Sequence, residues 1–169
     1  MESPLFDLSA VPDGFRSGYV ALVGAPNAGK STLMNALLGT KLSIVTDKPS
    51  TTRHRVLGIL TGDTHQVIFL DTPGVVKPRY KLHEHMMHDV ERALADADLV
   101  LFLSDAEKRS VADRALARLS DQIADTPCLL VLTKMDLISH EEALPLVEEY
   151  VALRAFDAVI PTSAVSGFN

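Results

Sequence analysis

Eight consecutive residues, Gly24-Ala25-Pro26-Asn27-Ala28-Gly29-Lys30-Ser31, carry the most specific chemistry in the chain. They match the phosphate-binding pattern G-x-x-x-x-G-K-[ST]. The apolar run 19–23 precedes them, and Leu33, Met34, Leu37 and Leu38 follow at helical spacing, with Gly39 as a stop. That supplies the strand–loop–helix context the pattern needs. Glycines let backbone wrap closely around a polyphosphate, so successive N–H groups point inward. The start of the helix adds partial positive charge. Asn27, Ala28, Gly29, Lys30, Ser31 and Thr32 are therefore the expected phosphate contacts. Lys30 would neutralise the β- and γ-phosphates, and the Ser31 hydroxyl would bind Mg²⁺.

A phosphate loop does not choose the base. Thr133-Lys134-Met135-Asp136 follows the apolar run 128–132 and resembles the guanine-reading [NT]-K-x-D motif. A carboxylate at Asp136 can accept from both the ring N–H and the exocyclic amino group of guanine. Adenine lacks that donor pair, a difference worth a few kcal/mol. The stem of Lys134 would cover the base plane. Thr133 stands where Asn is commoner and has one hydrogen-bonding group fewer. By itself a Lys-x-Asp at a helix start often serves only as a cap. Ser163-Ala164-Val165-Ser166-Gly167, after the last apolar run, resembles the S-A-x-x-G element, in which the Ala164 N–H would meet the guanine carbonyl. Leu137, Ser163 and Val165 complete the expected base site.

Asp71-Thr72-Pro73-Gly74 resembles a D-x-x-G element. Asp71 would hold a Mg²⁺-bound water, and the Gly74 N–H would sense the γ-phosphate. Between these motifs lies Lys48-Pro49-Ser50-Thr51-Thr52-Arg53, a loop able to close over Mg²⁺ and release on hydrolysis. Thr52 is the candidate ligand and Thr51 the alternative. The expected catalytic set is Lys30, Thr52 and Gly74. Val75 occupies the position where many such enzymes carry a water-orienting glutamine, so the water must be placed by backbone, a second metal or a partner. Arg55 begins a strand and reads as solvated, whereas Arg53 could touch phosphate. His83, His85 and His88 read as helix surface because no third ligand joins His85 and His88.

The elements that must carry these motifs alternate along the chain. Strands are expected at 19–23, 99–103, 128–132 and 158–160, and helices at 30–38, 80–96, 109–124 and 141–153. Leu82, Met86, Val90 and Ala93 would face inward from the second helix, and Val111, Ala115, Leu119 and Ile123 from the third. Two strands, 55–60 and 66–70, flank Thr61-Gly62-Asp63 and read as a hairpin. Alternation of this kind gives an α/β fold with a mixed, mostly parallel six-stranded sheet covered on both faces. Residues 1–17 read as a leader and 18–169 as one nucleotide-binding domain.

Bulk composition agrees. The 169 residues are 47% hydrophobic and 22% charged, enough for a core. A net charge of −6 argues against this chain alone gripping a phosphate backbone. A single cysteine, Cys128, excludes an intrachain disulfide and suits a reducing cytoplasm. It lies in an apolar run and reads as a packing residue. No signal peptide or membrane span is visible.

Taken with the text T-T-R-H-R at Thr51 to Arg55, then Leu57-Gly58-Ile59, and D-T-P-G-V-V-K-P at Asp71 to Pro78, the chain resembles the Era-like branch of the translation-factor class of P-loop GTPases. The resemblance covers residues 18–167. Der-type and MnmE-type GTPases share the frame but match these two segments less well. The resemblance implies a slow GTP/GDP switch in small-subunit ribosome assembly. It also implies K⁺ held beside the phosphates through Asn27. The implied partners are GTP, GDP, the small ribosomal subunit and 16S rRNA, with RNA contact mainly through a KH domain that, like the closing helix, is absent here. A cytoplasmic monomer is expected, and peripheral association with the inner membrane stays open. Two rivals remain: an ATP-dependent small-molecule kinase, and a binding module that switches partners with little catalysis.

Overall fold

In the computed structural model, residues 12–45 and 52–169 are described. Thr51, the alternative to Thr52, lies outside them, as do residues 46–50. The apolar runs fold as six strands, β1 (Arg16–Gly24), β2 (Val56–Thr61), β3 (His65–Asp71), β4 (Leu99–Asp105), β5 (Cys128–Thr133) and β6 (Ala158–Pro161). Four α-helices intervene: α1 (Lys30–Leu38), α2 (Lys81–Asp96), α3 (Arg109–Leu119) and α4 (His140–Leu153). The sheet order is β2-β3-β1-β4-β5-β6. Every neighbouring pair is parallel except β2 and β3, the expected hairpin, whose turn is closed by the Gly62 N–H donating to the His65 carbonyl at 2.8 Å.

Strands buried on both faces need apolar residues at nearly every position, as 99–103 and 128–132 have. On one face, α2, α3 and α4 bring Val90, Leu94, Ala115, Leu119 and Leu146 against Ala21, Val23, Phe102 and Leu130. On the other, Leu33 and Met34 of α1 meet Leu22, Phe69, Leu103 and Val131. Each fully buried side chain of this size contributes roughly 1.5–3 kcal/mol. Tyr150 is also fully buried, and its hydroxyl is satisfied by Ser104 at 2.6 Å. Cys128 is buried, as expected, and burial pushes its thiol up to about 11.

Four expectations need correction. β1 begins at Arg16, inside the segment read as leader. Its pairing with β3 reaches that far, with Arg16 opposite His65 in the β1–β3 register. Helix α3 ends at Leu119, short of Ala124. Pro127 bars helix at Thr126, and the chain leaves through a turn in which Ile123 still packs fully buried. Leu82 is 40% exposed, because α2 first reaches the core one turn later, at Met86. Leu37 is likewise exposed, at the margin of the α1 stripe. The start of α4 is set by a capping box between Ser139 and Glu142.

Candidate nucleotide and metal site

All four motifs meet at the ends of β1, β3, β5 and β6, the edge where such sheets bind ligands. Gly24 closes β1 and α1 starts at Lys30, so the loop between them is short and tightly wound. Gly29 adopts φ +90° and Asn27 φ 62°, left-handed backbone that turns the chain back on itself. Lys30 is 6% exposed, and its ammonium donates to the carbonyls of Gly24 (3.2 Å) and Ala25 (2.9 Å). Burial lowers its pKa to about 8, opposed in part by the Asp71 charge. Asn27, Gly29, Lys30, Ser31 and Thr32 border a cleft of about 260 Å³. Ala28 stands apart, being buried, with its N–H donating back to the Ala25 carbonyl at 3.2 Å.

Three of the expected ligands converge beside that cleft. The Ser31 hydroxyl donates to Asp71 Oδ2 at 2.6 Å and lies 3.1 Å from Thr52 Oγ1. Ser43 donates to the same Oδ2 at 3.0 Å. Asp71 is fully buried and its Oδ1 has no hydrogen-bond partner among the described residues. Burial raises the Asp71 pKa, while the Ser31 hydrogen bond, the Lys30 charge and the Ser43 hydrogen bond lower it. A buried carboxylate oxygen left unclaimed beside two hydroxyls suits a hard, oxygen-preferring cation such as Mg²⁺.

Gly74 also lines the cleft, and no other residue fits there: a Cβ would meet Pro26 Cα at 2.7 Å. The Thr72 hydroxyl, donating to the Leu22 carbonyl at 2.7 Å, pins this turn to β1. Val75 donates its N–H to the Gly24 carbonyl at 2.9 Å, and its side chain is buried in the core. Position 75 thus turns away from the cleft.

A second cavity of about 270 Å³ adjoins the first and shares Gly29, Thr32 and Lys134 with it. Asp136, Leu137, Ser163, Ala164 and Val165 line it, as expected. Its wall is steadied by a one-turn 3₁₀ helix over Met135–Leu137 and by the Ser163 N–H donating to the Phe168 carbonyl at 3.0 Å. Thr133 borders this cavity too, but its buried hydroxyl is committed to the carbonyls of Ala28 (2.8 Å) and Ser104 (3.1 Å). It ties the phosphate loop to the sheet and does not reach for a base. Lys134, at φ 61°, pairs with Asp105 at 2.7 Å.

Arg53 is exposed and away from both cavities, and Arg55 pairs with Asp96 at the surface. His85 is exposed and His88 pairs weakly with Glu91, while His83 packs on the Tyr80 ring. Among the described residues no cluster of three His, Cys, Asp or Glu could hold a metal. Sequence reasoning missed Ser43, Asp105 and Lys108, the last of which lines the phosphate cleft. Asp105 could have been found from its place at the C-terminal end of β4. Ser43 carries no such mark; it is set in place by Asn35 of α1, whose side-chain amide clasps the backbone of residues 42–43.

The phosphate-loop sequence after β1 and the cavity between the ends of β5 and β6, on this strand order, mark the fold of the P-loop GTPases. Residues 19–134 match the family of 50S ribosome-binding GTPases, and the chain belongs to that family. It is 43% identical over 155 residues to the GTPase Era of Heliobacterium modesticaldum, covering 91% of this chain and 52% of that one. A crystal structure of Era with MgGDPNP and a fragment of 16S ribosomal RNA superposes with a TM-score of 0.85 at 39% identity, covering 92% of this chain and 53% of the other. An Aquifex aeolicus Era variant bound to GDP and aluminium fluoride gives 0.82 at 38% identity, with 90% and 53% covered. The chain therefore spans about half the length of these Era relatives.

Proposed function

We propose that residues 16–169 form a guanine-nucleotide domain that binds GTP with Mg²⁺ and slowly hydrolyses it to GDP and phosphate. The observation that carries this reading is Asp71: a buried carboxylate with one oxygen unclaimed, beside Ser31 and Thr52 and next to the phosphate loop. Ser31 and Thr52 would hold Mg²⁺ directly and Asp71 through water. The ion would neutralise charge growing on the β- and γ-phosphate oxygens. Lys30 would leave the carbonyls of Gly24 and Ala25 for the phosphates. The Gly74 N–H would donate to the γ-phosphate and so report its loss. Asp136, Lys134 and Ala164 would select guanine, with Leu137, Ser163 and Val165 enclosing the base.

The buried Val75 side chain offers no group to orient the attacking water. K⁺ near Asn27, on the lip of the cleft, is the proposed substitute. Slow turnover is expected, since a transition-state cation of the arginine-finger kind is worth roughly 10³–10⁵-fold. That same Val75 supports a second reading, a nucleotide-dependent binding module with little catalysis.

The wider role proposed is that of an Era-type switch in small-subunit assembly in the cytoplasm. Its basis is the identity to Era and the 16S rRNA fragment held by one Era structure. Among the described residues no helix is long and apolar enough to cross a membrane. Calorimetric titration with GDP, GTP and ATP in Mg²⁺, followed by phosphate release from GTP in K⁺ and in Na⁺, tests the proposal. Binding of both guanine nucleotides, no binding of ATP, and faster release in K⁺ are expected. Equal ATP binding would defeat it, and binding without release in either salt would favour the module.

A further inference from the structure

We infer that Asp105 is a positioning residue for Lys134, fixing the lysine over the seam between the phosphate cleft and the base pocket before a nucleotide arrives. The inference rests on the guanine reading above and adds a residue to it. Asp105 ends β4 with 5% of its surface exposed. Its Oδ1 accepts from the Glu107 N–H at 3.0 Å, an Asx-type turn, and its carbonyl accepts from the Lys108 N–H at 3.0 Å. Across the sheet it stands opposite Thr133, and the Ala106 N–H donates to the Thr133 carbonyl at 3.1 Å. The backbone at Asp105 is thus anchored, and its carboxylate, held at Oδ1 by the Glu107 N–H, presents Oδ2 to the Lys134 ammonium at 2.7 Å.

Lys134 needs such a partner. Its backbone is left-handed (φ 61°, ψ 36°), and its side chain keeps about a third of its surface exposed. A lysine so placed would spread over many rotamers, a freedom that must be given up on binding. Asp105 selects one of them in advance. It also neutralises the ammonium, so the lysine offers its stem to a base and leaves the phosphates to Lys30 and the cleft around it. Pre-ordering of this kind strengthens ground state and transition state alike. GDP and GTP affinity should fall together when it is lost, with turnover at saturation unchanged.

Asp105→Asn preserves the shape and the acceptor for the Glu107 N–H. It should weaken GDP and GTP equally, by about tenfold, with kcat intact. In a Lys134→Ala background the same substitution should change affinity less than about twofold, since the two act as one unit. Lys134→Met, which keeps the stem and removes the ammonium, should weaken GDP about as much as Asp105→Asn does, and it decides the matter if Asp105→Asn does not fold. Full GDP affinity in Asp105→Asn or in Lys134→Met overturns the inference. So does an Asp105→Asn loss that persists without Lys134, which would mark a merely structural role. If Lys134→Ala itself left GDP affinity intact, the guanine reading of this loop would fall, and the inference with it.

Discussion

Lys30 meets its own loop before it meets a phosphate. Its ammonium rests on the carbonyls of Gly24 and Ala25, and burial lowers its pKa to about 8 from 10.5. The sign of the resulting pH dependence follows. Below about 8 the group is charged in folded and unfolded chains alike. Between that value and 10.5 the unfolded chain binds more protons, so the free domain gains stability as pH rises. A diphosphate needs the ammonium, so its affinity runs the other way: flat below about pH 8 and falling above it, toward tenfold per unit. GDP titrations between about pH 7 and pH 9 check this; a flat profile would mean that Lys30 stays charged. At Gly74 the constraint is steric. Gly74→Ala places a methyl 2.7 Å from Pro26, and should lower stability by about 1–3 kcal/mol in thermal melts while slowing hydrolysis at least about tenfold. Such residues were legible in the sequence because motif spacing fixes their place on a loop. Ser43 and Lys108 were not, because they reach the site only through tertiary contacts, Asn35 clasping Ser43 and α3 opening beside the cleft; Asp105 carried only the weaker mark of its place at the end of β4.

Elements position the site by being stitched to one another. Thr133, at the end of β5, bonds the Ala28 carbonyl in the phosphate loop and the Ser104 carbonyl in β4. Thr133→Val keeps the shape and strands both buried carbonyls. A loss of about 1–3 kcal/mol is expected, seen as a lower urea midpoint at unchanged slope, together with weaker GDP binding. An unchanged midpoint would show that the stitch carries no load. Element types and order were readable because periodicity changes cleanly from continuous apolar runs to helical stripes, as in β4 followed by α3. Element ends were less so. α3 stops at Leu119, where the chain passes into a turn, and β1 starts at Arg16 through its pairing with β3, neither of which local periodicity records. Exposed Leu37 and Leu82 share a cause: a helical stripe says which way a residue faces, not whether the sheet extends beneath it.

At the scale of the molecule the acidic balance and the phosphate site pull in opposite directions. The net charge of the chain is −6, while Lys30, Lys108 and Lys134 gather at the cleft. RNA binding by this chain alone should be weak and shallow in its salt dependence; a slope equivalent to more than about two phosphate contacts would contradict that. The proposed function requires a cleft divided into a half that holds phosphates and a half that reads guanine. Asp136→Asn addresses that division directly, with GDP and xanthosine diphosphate titrated against parent and variant. Asn can donate to the xanthine carbonyl that replaces the guanine amino group, so affinity should pass from GDP to the xanthine nucleotide while phosphate contacts are untouched. Undiminished GDP binding by the variant, with no gain for the xanthine nucleotide, would contradict the assignment of the base pocket.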